Sequence, residues 1–257
     1  MPFQFVTLQE ARKSTDLVLV ASAPGVPNPW VEAVKGIFHA KQVPFVAVHT
    51  NYDDPEFMEW AGSRGAPVIL HGGRSPIDRW NDILLFAERK WTDRPLLPVD
   101  AQDRAMVIGL CHELAGEQGL GWTRRLNLVH RALQGEGHAF ASFATGLGAK
   151  YGYRAKLAPA YEARVCALLD LLARRLHLAE ARGSGYLVGD ELSAADIYCA
   201  VFLVQFGPLP AEQCPMLEPL RRDFEGMSPA ISKALDSSLL AHRARIYRDH
   251  MELPLTL

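Results

Sequence analysis

The pattern of apolar and polar positions changes character near Arg94. Before it, short apolar runs alternate with stretches of helical spacing. Leu17-Val-Leu-Val-Ala21 is apolar throughout, the signature of a strand buried on both faces. A Pro/Gly-rich loop follows, Ser22-Ala-Pro-Gly-Val-Pro-Asn28. Trp30, Ala33, Val34, Ile37 and Phe38 then recur at helical spacing. Asn28 is a favoured N-cap, and Pro29 stands where its missing N–H is harmless. Val43-Pro-Phe-Val-Ala-Val48 predicts a second strand with its proline near the start. Glu56–Gly62 predicts a short helix, Ala66-Pro67-Val-Ile-Leu70 a third strand, and His71-Gly-Gly-Arg74 a turn. Trp80, Ile83, Leu84, Ala87 and Trp91 mark another amphipathic helix. This alternation is that of an α/β layer.

Beyond the proline-bracketed Arg94-Pro-Leu-Leu-Pro98 only helical spacing remains. Asp100–Leu114 reads as helix, Val165, Leu168, Leu169, Leu172 and Leu176 mark a long one, and Leu192–Phe206 another. Gly135–Gly152 carries five glycines, which predicts a loop or a broken helix. Leu192-Ser-Ala-Ala-Asp-Ile197 is the sharpest local signal. Ser193 and Asp196 have capping-box spacing, with Asp for the usual Glu or Gln, and Leu192 and Ile197 occupy the two positions of a hydrophobic staple.

Composition narrows the function. The 257 residues carry 27 Lys plus Arg against 29 Asp plus Glu, a net charge of −2. That balance argues against a nucleic-acid binder. No apolar run approaches the ~20 residues of a membrane span, and the first residues lack the charged and apolar regions of a signal peptide. The expectation is a cytoplasmic protein without nucleic-acid or membrane partners. Four cysteines, Cys111, Cys166, Cys199 and Cys214, form no CxxC pair and no disulfide scaffold. Cys111, His112 and Glu113 are adjacent, but neighbouring helical residues point ~100° apart, so no metal site is expected.

Tyr186-Leu-Val-Gly-Asp-Glu-Leu-Ser-Ala-Ala-Asp-Ile197 resembles the capping-box segment of the cytosolic glutathione transferases, and the order of elements agrees over nearly the whole chain. The resemblance implies α/β plus all-α architecture. A thioredoxin-like glutathione-binding domain would span 1–93, a linker 94–99, and an all-helical C-terminal domain 100–257. The shared segment is a folding motif and carries no chemistry, so function has to be read from the sites.

Three sites follow from the resemblance. At the opening of the first long helix, where the family usually holds Ser or Cys, this chain has Asn28-Pro29-Trp30. An amide can donate a hydrogen bond to a thiolate but cannot be a nucleophile. Asn28 is therefore the candidate thiolate stabiliser, with Ser22 a second possible donor, and its other reading is a simple N-cap. A thiol of pKa ≈ 8.5 needs such a donor and a positive helix end to ionise at neutral pH. Ala66-Pro67 matches the family's cis proline, whose preceding residue offers backbone groups to the cysteinyl part of glutathione; an ordinary trans proline is the alternative. The family's acidic residue and Ser for the γ-glutamyl end fall on Asp78-Arg79 or Arg79-Trp80, and the Ser is absent. Arg79, Ser75 and the helix N-terminus remain as anion contacts. His112, Trp122 and Arg124 or Arg125 would line a second-substrate pocket, with core packing as the other reading of Trp122. Cys166 and Cys199 read as small buried residues.

The implied activity is addition of the glutathione thiolate to a small hydrophobic electrophile, by a homodimer using glutathione as co-substrate. The alternative is a non-catalytic binding or interaction protein on the same scaffold that has lost its γ-glutamyl site.

Overall fold

The computed structural model describes residues 3–257. Strand β2 (Leu17–Ala21) is buried at all five positions and lies inside a four-stranded sheet of order β1-β3-β2-β4. It pairs in parallel with β3 (Phe45–His49), Leu17 opposite Phe45, and antiparallel with β4 (Val68–Leu70), Leu19 opposite Ile69. The edge strand β1 (Gln4–Phe5) pairs in parallel with β3. It is too short to show alternation in sequence. Helix α1 (Leu8–Lys13) follows it, opened by a capping box between Thr7 and Glu10.

Helix α2 (Pro29–Ala40) connects the two parallel strands, as a parallel pair requires. Its start matches the sequence reading: Asn28 is the N-cap and Pro29 the first helical residue. The helix is buried almost all round, because the sheet covers one side and the helical half the other. Helices α3 (Pro55–Ala61) and α4 (Trp80–Lys90) complete the layer, and the Ala66–Pro67 peptide is cis, as expected.

The helical half opens with α5 (Ala101–Ala115) and α6 (Leu120–Leu133). The glycine-rich stretch is a broken helix: a single 3₁₀ turn at Phe140–Ser142 precedes α7 (Ala144–Tyr151), which ends at Gly152 with φ +70°. Helix α8 (Ala158–Glu180) is the longest, and α9 (Ala194–Leu203) is buried at every residue. Three shorter helices close the chain: α10 (Glu218–Glu225), α11 (Pro229–Ala234) and α12 (Ser237–His250). The main core is continuous across both halves, because α9 packs against α2, α5 and α12. No helix among the described residues is long and apolar enough to cross a membrane.

The capping segment ahead of α9 works harder than its spacing predicts. The Asp196 carboxylate is fully buried and accepts from Ser193 N (2.9 Å), Ser193 Oγ (2.7 Å) and Leu187 N (2.8 Å). It therefore holds the preceding turn as well as the helix start.

Candidate functional site

The site starts at the β2–α2 loop. Asn28 Oδ1 accepts from Trp30 N at 3.1 Å, which caps α2. Its other side-chain atom does different work: Nδ2 donates to Ser22 Oγ at 2.9 Å. Ser22 and Asn28, six residues apart, thus form one unit across the mouth of the loop. The serine oxygen is an acceptor in that bond, so its O–H is left to donate elsewhere. Asn28 likewise keeps a second amide hydrogen. Ser22's carbonyl is fixed in turn by His49 Nδ1 at 2.7 Å.

Trp30 locks the start of α2 to the helical half. Its Nε1 donates to Ala115 O at 2.8 Å, and its ring meets Phe202 edge-on at 4.9 Å. Gly121 makes this approach possible, since a Cβ there would run into the Phe202 ring.

Two cavities open beside this end of α2. One, of about 430 Å³, is lined by Trp30, Ala66, Pro67, Asp78, Arg79 and Trp122 among others. The other, of about 580 Å³, is lined by Asn28, Arg125 and a set of aromatic and aliphatic side chains. Lys150 borders both. Asn28 and Trp30, two residues apart, line one each.

The first cavity contains a pairing that sequence reasoning missed. Ser63 Oγ donates to Asp78 Oδ2 at 2.9 Å, and both residues line the cavity. A hydroxyl and a carboxylate therefore stand together, although the hydroxyl comes from the loop after α3. The residue that follows Arg79 in sequence is Trp80, whose ring packs between Tyr198 (5.7 Å) and His112 (6.2 Å). Arg79 is the N-cap residue of α4 and makes no side-chain cap. The backbone N–H groups at this helix start thus lack a side-chain acceptor, and Arg79, Trp80 and Asn81 all border the cavity.

The helical half contributes unevenly. Trp122 lines the first cavity and packs edge-on against Tyr151 at 4.5 Å. Arg125 lines the second; its guanidinium lies over the rings of Trp30 (4.9 Å) and Tyr151 (5.3 Å), and Nη1 donates to Tyr151 Oη at 2.8 Å. Arg124 is fully buried and faces away. It donates to Gln205 O, Phe224 O, Gly226 O and Asn127 Oδ1, which ties α6 to the end of α10. His112 is exposed and borders neither cavity.

The chain's own thiols are poorly suited to nucleophilic work. Burial pushes Cys111 and Cys199 well up and Cys214 up to about 11, and it raises Cys166, which is only half-buried. A thiolate at this site has to arrive with a ligand. No cluster of three or more His, Cys, Asp or Glu that could hold a metal occurs among the described residues.

The fold is that of the glutathione transferases. A glutathione transferase of Bombyx mori matches with a TM-score of 0.56 at 16% identity, over 92% of this chain and 93% of that one. Glutathione transferase Omega 3C of Trametes versicolor matches at 0.53 and 19% identity over 91% of each chain. A glutathione transferase of Pseudomonas putida, solved with one glutathione disulfide per subunit, matches at 0.54 and 20% identity over 89% of this chain and 94% of that one. No family model and no curated protein matches the sequence. At these identities the likeness establishes the fold; activity is a matter for the residues.

Proposed function

We propose that this chain is a glutathione transferase whose thiolate is held by Asn28 and Ser22. The observation that supports the reading is the Asn28–Ser22 pair at the N-terminus of α2, where Asn28 lines a mainly apolar cavity and Trp30, two residues on, lines a second one that carries Asp78, Arg79 and Lys150. Glutathione would occupy the cavity beside Ala66, Asp78 and Arg79. Its cysteinyl backbone would meet Ala66, beside Pro67. Its γ-glutamyl ammonium would face Asp78, and the carboxylate would take the open N–H groups at the start of α4 with Arg79 beside them. Ser63 orients the Asp78 carboxylate for that contact.

The sulfur would then lie at the positive end of α2. The free Asn28 amide hydrogen and the Ser22 hydroxyl favour the thiolate over the thiol. An electrophile in the apolar cavity would receive the sulfur lone pair. A carbon–sulfur bond forms, the thiol proton has already passed to solvent, and a leaving group departs as an anion or a conjugated acceptor takes up a proton. Positioning and a lowered thiol pKa are the whole of the catalysis this site offers. Domain limits at 94–99 and assembly as a homodimer belong to the same reading, and light scattering at micromolar concentration tests the dimer.

Trp80 in place of a γ-glutamyl hydroxyl favours a second reading, a binding protein that does not use glutathione. Calorimetric titration with glutathione separates the two. Binding in the micromolar to millimolar range, abolished by Asp78→Ala together with Arg79→Ala, supports the transferase. Absence of heat at millimolar glutathione favours the binding protein.

A further inference from the structure

Helix α12 carries a buried charge that no described residue balances. Arg243 is 8% exposed, and its Nε and Nη1 are shielded from solvent without a hydrogen-bond partner. It belongs to no ion pair among the described residues. Tyr247 stands one turn further along the same helix face, fully buried, and its Oη is unpartnered too. Burial works against the Arg243 charge, but a guanidinium keeps its proton in a protein. The titratable groups that act on it are Tyr247 and Cys214. Burial pushes the Tyr247 phenol well up and the Cys214 thiol up to about 11, so neither supplies a negative charge at neutral pH. Glu32, the carboxylate that acts on both of those groups, is already bound to Lys35 at 2.9 Å. Beside the guanidinium the chain leaves room. A Cβ at Gly207 would fall 3.3 Å from Arg243 Nη1 and 3.6 Å from Leu240 Cδ2. Gly207 itself is half-buried, which leaves a short way in from solvent.

We infer that Arg243, Tyr247 and the open side of Gly207 form a binding site for one small inorganic anion of halide size, which joins α12 to the turn after α9. Two guanidinium N–H groups and a phenolic O–H supply donors from one helix face, and hydrogen bonds to an anion are the stronger kind. Leu240 closes an apolar side. A space that a methyl group would fill suits chloride or bromide and is too small for a phosphate or a carboxylate. A water molecule there would answer the donors and leave the buried charge unmet. Neither cavity beside α2 includes these residues, so the inference is independent of the transferase reading.

The test is thermal unfolding of the whole protein as chloride replaces methanesulfonate at constant sodium and pH. An anion bound only by the folded chain should raise the melting temperature by about 2–4 °C, levelling off by about 100 mM. Bromide should act as chloride does, and crystals grown with bromide should show an anomalous peak beside Arg243. Gly207→Ala, which fills the space, and Tyr247→Phe, which removes the hydroxyl, should each lose most of the rise. Tyr247→Phe also distinguishes a working hydroxyl from an idle one. Removing an idle buried hydroxyl leaves stability in place or improves it at every chloride concentration, whereas here the loss should be confined to high chloride. Arg243→Met should melt at one temperature with or without chloride, and the other two variants decide the matter if it does not fold. A melting temperature indifferent to chloride overturns the inference, as does a rise that never levels off or one that Gly207→Ala and Tyr247→Phe both keep in full. Water against Nη1 in the bromide crystals, with no anomalous peak, overturns it as well.

Discussion

Lys41 Nζ lies 2.7 Å from Glu88 Oε1, and the lysine side chain is wholly out of solvent. The ammonium also donates to Trp91 O and Arg94 O at 2.8 Å each. The carboxylate accepts from Leu96 N and Leu97 N. One ion pair between the ends of α2 and α4 thus satisfies four backbone groups of the segment that joins the two halves. The segment can run inward at Leu96 and Leu97, both under 5% exposed, because its polar groups have partners there.

Lys41→Met should therefore be costly. It leaves a largely buried carboxylate unpaired and two carbonyls without donors, for a loss of about 3–5 kcal/mol. Glu88→Gln should cost less, since an amide oxygen still accepts from the backbone. The double variant should lose less than the two single losses combined, because removing both partners leaves no stranded charge. Urea denaturation of the four proteins measures this, and strict additivity would show that the pair is not coupled.

Asp196→Ala removes three hydrogen bonds at a fully buried site and leaves the Ser193 and Leu187 amides stranded. At about 1–3 kcal/mol for each unmet group, the loss should exceed 2 kcal/mol. A cap alone would give about 0.5–2 kcal/mol, the range expected for Ser193→Ala. Turnover per folded molecule should stay close to that of the unaltered protein in both. A fall in turnover without a fall in stability would move this segment from scaffold to site.

These cases also show which features the sequence makes legible. Strand β2, the start of α2 and the start of α9 are written in local terms, an apolar run or a cap at fixed spacing, so they can be read without the fold. The Ser63–Asp78 bond cannot. Its partners are separated by β4 and a turn, and nothing local distinguishes Ser63 from other loop serines. Lys41 and Glu88 look like ordinary helix-surface charges until the joining segment is laid over them. Arg124 and Arg125 are adjacent and chemically identical, yet one is enclosed by backbone carbonyls and the other lies on two aromatic rings. That difference is set by helix phase against α9 and α7, and composition carries no trace of it.

Acidification should destabilise the fold through three imidazoles. Burial holds His39, His71 and His250 below the usual histidine range, and Lys90 and Arg74 add to the effect at His71. A lowered pKa in the folded state means that the unfolded chain binds more protons once pH falls through about 6.5. Stability should be intact above that value and decline below it. His39→Gln with His71→Gln should flatten the decline between pH 7 and pH 5, read from urea midpoints. A decline unchanged in that variant would assign the acid sensitivity to other groups.

The thiols give a further prediction. With all four cysteine pKa values raised by burial, the native protein should react slowly with iodoacetamide at pH 8. Cys166, the one thiol not fully enclosed, should be modified first, and the other three only on unfolding. Mass mapping after timed alkylation checks the order. Early modification of Cys111 would indicate opening of α5 beside the site.

Asn28 carries two functions on two atoms, so one substitution can separate them. Its Oδ1 caps α2 and its Nδ2 faces Ser22. Asn28→Asp keeps an oxygen at the capping position, where Asp serves as well as Asn, and adds a charge favourable to the helix end by about 0.3–1 kcal/mol. The urea midpoint should hold or rise. The same change removes both amide hydrogens and turns the Ser22 hydroxyl inward to donate to the new carboxylate. A bound thiol would then face a negative charge with neither donor, its pKa should rise, and turnover at pH 7 should fall by about tenfold or more. Asn28→Ala should behave differently, losing about 0.5–2 kcal/mol of stability along with the donor. Ser22→Ala should leave stability in place and remove only the hydroxyl's share of the thiol shift. The pH–rate profile and the thiolate absorbance of the glutathione complex report the chemistry, and urea denaturation reports the cap. If Asn28→Asp leaves the thiol pKa and turnover unchanged, Asn28 is a helix cap and the thiolate is held by other groups.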